Sequence, residues 1–190
     1  LVRLSARVEG RHQSRQLTLL LHAISEFEKM TDYEANILYA SRTKHQKGHS
    51  LSQKAEKELE IFASAIREIM DRTIAVFVDD DIEKALSVEP LHDVVDYLAE
   101  KLKKRHILRM SEGECTVEAG VIFTDYITAL EKISSHCKNM SVFVIQKNDS
   151  SFELHSEAHQ RRRMSDAYKE TYKEFRENYK LPTSDIEKTD

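Results

Sequence analysis

Apolar residues return every three or four positions in five stretches separated by polar breaks, the pattern of amphipathic helices. The first stretch, residues 16–39, sets Leu17, Leu20, Leu21, Ile24, Phe27, Met30, Ile37 and Leu38 on one face. The second begins behind Gly48-His49-Ser50 with Ser52 as N-cap and ends at Val78, carrying Leu59, Phe62, Ile66, Ile69 and Met70. Asp79 to Asp81 stop it and cap the third, residues 81–111. Pro90 inside that stretch lacks a backbone donor, which predicts a kink or a first turn there. Glu112-Gly113 turns the chain into the fourth helix, residues 116–146, whose core face is Val117, Val121, Ile127, Leu130, Ile133, Met140 and Val144. The fifth, residues 155–179, places Met164, Tyr168, Tyr172 and Phe175 on its inner face and stops before Pro182; the polar tail beyond it is expected to fray.

Sliding the chain on itself exposes an internal repeat with an offset of 103, which puts Glu9-Gly10 on Glu112-Gly113. The same shift puts Ile24 on Ile127, Glu28-Lys29 on Glu131-Lys132 and Asn36 on Asn139. The third helix has no counterpart, so residues 80–180 form a three-helix repeat, and residues 1–79 form a repeat that lacks its first helix. Residues 1–8 read as the end of that helix, and 181–190 as a polar tail. An incomplete unit leaves an apolar groove. Filling it falls to upstream sequence, a second copy or rearranged packing, since each large side chain buried gains about 1.5–3 kcal/mol.

Composition narrows the fold to all-α. Four glycines and two prolines among 190 residues are too few for the turns of a β architecture. No apolar run approaches the ~18 residues of a membrane span. With 29 basic against 33 acidic residues there is no general basic field for nucleic acid. Cys115 and Cys137 show no metal-type spacing and read as packed thiols in a reducing, intracellular setting. Leu1 starts no secretion signal and stands where a Met is expected, as in a piece of a longer chain. Phosphate-loop, dinucleotide, nucleophile-elbow and zincin motifs are all missing, so no enzyme is indicated.

Glu28 and Asp32, four apart, leave one helix face a turn from each other, with Asn36 a turn further. Such a pair either grips a hard cation or forms a solvated face. The repeat sets Glu131, Ser135 and Asn139 at the matching positions, so the second pair has lost one carboxylate. Counting from Gly113 as the turn of an antiparallel hairpin puts Asp96 level with Glu131, and His92 level with Ser135. Asp96 and His92 are therefore candidate additional ligands. Oxygen donors in octahedral geometry suit Mg, Mn or Fe, divalent or trivalent. His155 and His159 read as surface histidines, Arg161 to Arg163 as a solvated basic turn, and His136-Cys137 as neighbours that point apart.

Val88-Glu89-Pro90-Leu91, Val95-Asp96, Arg105-His106-Ile107, Arg109-Met110, Gly113-Glu114-Cys115-Thr116 and the run from Glu131-Lys132-Ile133-Ser134-Ser135 to His136-Cys137-Lys138-Asn139-Met140 resemble the PhoU-type phosphate-regulatory domain. More narrowly, they are similar to the version fused behind the membrane part of bacterial sodium/phosphate cotransporters. The first repeat's Glu28-Lys29-Met30-Thr31-Asp32-Tyr33 resembles the same element, with Tyr33 where the family has His; Ser135 stands where the family has a second Asp. The resemblance implies two three-helix bundles with the acid pairs as metal-cluster ligands. It also implies restraint of phosphate uptake at the cytoplasmic face of the cell membrane and an upstream transmembrane part as partner; a homo-oligomer is a separate expectation, from the second copy that could fill the groove. The rival readings are a free-standing regulator of a separate transporter and a docking or dimerisation module that holds no metal.

Overall fold

The polar breaks of the sequence are where the backbone turns. A computed structural model describes residues 10–148 and 157–183. Six helices and no strand occur among the described residues: α1 Arg11–Gln46, α2 Gln53–Asp79, α3 Ile82–Ser111, α4 Val117–Asn148, α5 Glu157–Arg163 and α6 Asp166–Asn178. None of them is long and apolar enough to cross a membrane. The expectations for residues 1–8, His155 and the end of the polar tail lie outside the described residues.

Side-chain caps set several of the starts. Ser52 accepts from the Ala55 N–H at 3.2 Å, Asp81 from Lys84 at 3.0 Å, and Thr116 from Ala119 at 3.2 Å. Each satisfies a backbone donor that a helix start leaves orphaned, for about 1 kcal/mol. Gly10 (φ 94) and Gly113 (φ 74), equivalent under the repeat, both adopt the left-handed backbone ahead of a long helix. Pro90 neither starts nor stops α3, which begins eight residues before it and runs on to Ser111. The expected single fifth helix is broken: Ser165 accepts from the Tyr168 N–H at 3.2 Å and starts α6 afresh, leaving Met164 74% exposed.

α4 is the common strut, packed by α1, α2 and α3, while α6 lies on α3. Phe62, Ile69, Leu91, Leu98, Leu102, Phe123, Ile127 and Met140 are fully buried, and one continuous cluster reaches from Ala23 in α1 to Phe175 in α6. α1, α2, α3, α4 and α6 thus share one interior. Where α1 crosses α4, the rings of Tyr33 and His136 stack with centroids 5.6 Å apart. These residues are equivalent under the 103-residue offset, and equivalent residues touch where a local twofold axis runs between their helices. The helices are antiparallel: His22 stacks on Phe143 at one end, and Ala40 packs with Ile122 and Tyr126 at the other.

Which face α1 buries differs from the expectation. The stripe towards α4 is Leu19, Ala23, Glu26, Met30, Tyr33, Ile37 and Ala40, spaced alternately by four and three. Leu20, Leu21, Ile24, Phe27 and Leu38 are exposed, as are Val117 and Val121 in α4. Leu20, Phe27 and Leu38 line hollows shared with α2, which also packs on α4 but scarcely touches α1. Between them runs the predicted apolar groove, with hollows of about 420 Å³ by Phe27, Ile37, Met70 and Cys137, and about 250 Å³ by Leu20, Phe77 and Phe143.

Candidate functional site

Glu28, Asp32 and Asn36 share one exposed face of α1, as their spacing requires. No third acid, histidine or cysteine joins them: among the described residues no group of three or more such side chains converges. Two exposed carboxylates fall short of the roughly six donors a hard cation takes. The second cluster is more closely knit. His92, 3% exposed, accepts or donates at 2.9 Å to Ser134 through Nδ1, and its Nε2 lies 3.3 Å from Asp96 Oδ2. Asp96 and Glu131 are close enough that the Glu131 charge, after burial, helps raise the Asp96 carboxyl to about 6. Burial pushes His92 down to about 3, so it is neutral.

A positive charge already sits in this cluster: Lys103 Nζ is 2.6 Å from Glu131 Oε2, where a metal ion would compete with it. Ser135, the weak donor proposed from the repeat, turns its hydroxyl to the Glu131 carbonyl at 3.1 Å, a bond within its own helix. Asn139 is drawn elsewhere, donating to Glu26 Oε2 at 3.0 Å. Among the described residues, neither acidic cluster of the single chain fits a closed metal shell.

Two polar nodes escaped the sequence reading. Glu26, 6% exposed on the buried stripe of α1, receives Asn139, Lys29 at 2.9 Å and His136 Nδ1 at 2.7 Å. Burial alone raises its carboxyl, but the hydrogen bonds from Asn139, His136 and Lys29 outweigh it and the net shift is downward. Glu58 in α2 bridges to Arg105 Nη1 at 2.8 Å and Arg109 Nη1 at 2.7 Å in α3, all three buried. Breaking such a cluster by removing one partner costs about 3–5 kcal/mol, because the remaining charges stay buried. A glutamate on an otherwise apolar stripe was the one available signal for both.

His159 is not a surface residue: it is 5% exposed, with Nε2 3.1 Å from Glu89 Oε1. Arg162 also reaches Glu89, and Arg163 and the Tyr168 hydroxyl both bind Asp93, so the basic turn is a clamp holding α5 and α6 to α3. Cys137 is buried in the core with its thiol pushed up to about 11 by burial, and His136 points across to α1, so the two neighbours do diverge.

Residues 59–144 match the family described as the PhoU domain. The chain is also 24% identical over 134 residues, 70% of its length, to the phosphate-specific transport system accessory protein PhoU homolog 1 of Thermotoga maritima. That alignment spans 56% of the relative, so the chain covers little more than half of it. No solved structure matches. The matched stretch comprises most of α2, all of α3 and most of α4, the helices that carry Glu58, His92, Asp96, Arg105 and Glu131. Residues 59–144 of this all-helical bundle are therefore similar to the PhoU domain.

Proposed function

We propose that the chain is a regulatory module of phosphate uptake, attached to the membrane part of a sodium-coupled phosphate transporter at the cytoplasmic face of the membrane. The observation that carries the regulatory reading is the PhoU-domain match across α2, α3 and α4. Attachment to a sodium cotransporter is supported by the likeness of residues 88–140 to the fused version of the domain. Regulation requires that the module touch two states of its transporter differently, because equal contact in both shifts nothing. A long helical unit with a shared core transmits such contact as a rigid body.

A second reading has its own support. The Thermotoga maritima relative is named an accessory protein, which favours a free-standing regulator acting on a separate transporter. One experiment addresses both. Labelled-phosphate uptake is compared in cells with and without the gene segment for this chain, and the chain's product is followed through membrane fractionation. Deletion is expected to raise uptake several-fold under phosphate excess. Retention in carbonate-washed membranes then indicates attachment, and release indicates the free-standing form. Unchanged uptake at both low and high phosphate overturns the proposal.

A further inference from the structure

The turn between α3 and α4 gathers three soft donors. His106 and Met110 stand four apart near the end of α3, on one face, and Cys115 follows the turn at Gly113. That turn is pinned: the Gly113 N–H donates to the Met110 carbonyl at 3.1 Å and the Glu114 N–H to the Arg109 carbonyl at 2.9 Å, which fixes where Cys115 emerges. Cys115 Sγ lies 3.9 Å from His106 Nε2. A Cβ at Gly120 in α4 would come within 2.5 Å of Met110 Sδ and 2.9 Å of that same Nε2, so both donors reach over a residue that has no side chain.

The imidazole is buried without a strong hydrogen bond. His106 is 2% exposed; among the described residues its Nδ1 has no partner, and its Nε2 has the long, weak contact with the thiol. Its orientation comes instead from stacking on the Phe123 ring, with centroids 4.6 Å apart. Burying a polar ring on these terms is unfavourable unless something binds it. Burial and the Arg109 charge both hold His106 below its usual value, which keeps it in the neutral form that a metal ligand requires. Cys115 is only half-buried, so the three donors are reached from the surface.

We infer that His106, Met110 and Cys115 bind one copper(I) ion. Thiolate and thioether sulfurs select this soft ion, and imidazole suits it as well. Ligands bonded at about 2.0 Å through nitrogen and about 2.3 Å through sulfur stand roughly 3.5–3.8 Å apart on one ion, close to the separation of Nε2 and Sγ. Charge separates copper(I) from zinc(II). Binding replaces the thiol proton by the ion and releases that proton, so a monovalent ion leaves the net charge unchanged. A divalent ion would add a positive charge where the buried Arg109 guanidinium is already felt by both His106 and Cys115. The site shares no residue with the acidic clusters, and it stands whether or not the chain regulates uptake.

The test is anaerobic titration of the full chain into the coloured copper(I) complex of bicinchoninate, whose absorbance falls as the protein withdraws the ion. Uptake of one copper per chain is expected. Met110→Leu keeps the size and apolar character of the side chain and is expected to weaken binding about tenfold, or about 1.4 kcal/mol. Cys115→Ser is expected to weaken it about a hundredfold or more, since even partners outside the ligand shell are worth 10- to 100-fold. Cys137→Ala should leave it unchanged. Circular dichroism checks that each variant is folded, and Met110→Leu decides the matter if Cys115→Ser is not. No withdrawal of copper, uptake that Met110→Leu leaves undiminished, or uptake that follows Cys137 instead of Cys115 overturns the inference.

Discussion

Asp96 and His92 share a contact and titrate in opposite senses. Asp96 is raised to about 6 by burial and by the Glu131 charge, so the folded state holds its proton more tightly than the unfolded chain does. Its ionisation is therefore a penalty, complete above pH 6 and relieved as the pH falls towards 4. His92, lowered to about 3 by burial, works the other way: its contribution is complete above about 6.5 and is lost as the pH falls. Asp96→Asn is expected to stabilise the fold at pH 7, by less than about 1 kcal/mol because the side chain is half exposed. The gain should shrink to nothing by pH 4, as followed by thermal melting at both values; an equal gain at both would mean that charge is not its cause. The height match of Asp96 and Glu131 was legible from counting residues back from Gly113. That Lys103 occupies Glu131 was not, because a long side chain reaches across a helix pair in ways that spacing does not specify.

At the scale of the element, local chemistry decides where helices start. Ser52 and Asp81 were readable as caps because each stands at the edge of an apolar pattern. Ser165 was hidden because Met164, Tyr168, Tyr172 and Phe175 keep helical spacing straight across it. The cap overrides that spacing: Ser165 and the acidic residue after it restart the helix, and α6 docks through Phe175 and through Arg176 on Tyr97. Ser165→Ala is expected to cost about 1 kcal/mol in the local stability of α6. Hydrogen exchange should show this as roughly fivefold faster exchange in α6 with the amides of the α3–α4 hairpin unchanged.

Across the whole molecule, the two stripes of α1 face different environments, one the α4 strut and the other the open groove. Ile24, 48% exposed, and Met30, 9% exposed, are both apolar positions of the same helix in the sequence pattern. Ile24→Lys is expected to change stability by no more than about 0.5 kcal/mol. Met30→Lys would bury an unpaired ammonium and is expected to cost about 3 kcal/mol or more. Urea denaturation of the two variants separates them, and equal costs would mean that the groove side of α1 is buried after all.

The sequence by itself determined the all-helical class, most helix limits, the turns at Gly48 and Gly113, and an apolar groove beside α1. These depend on interactions within one or two helical turns, or on comparing the chain with itself. Only the tertiary structure decided which stripe of α1 meets α4 and which acids are drawn inward. It set Glu26 on His136, Glu58 on two arginines and His159 on Glu89, and it left Glu28 and Asp32 outside. The physical reason is that a carboxylate on a helix is buried or solvated according to the partner that arrives from far along the chain, and periodicity carries no record of that partner.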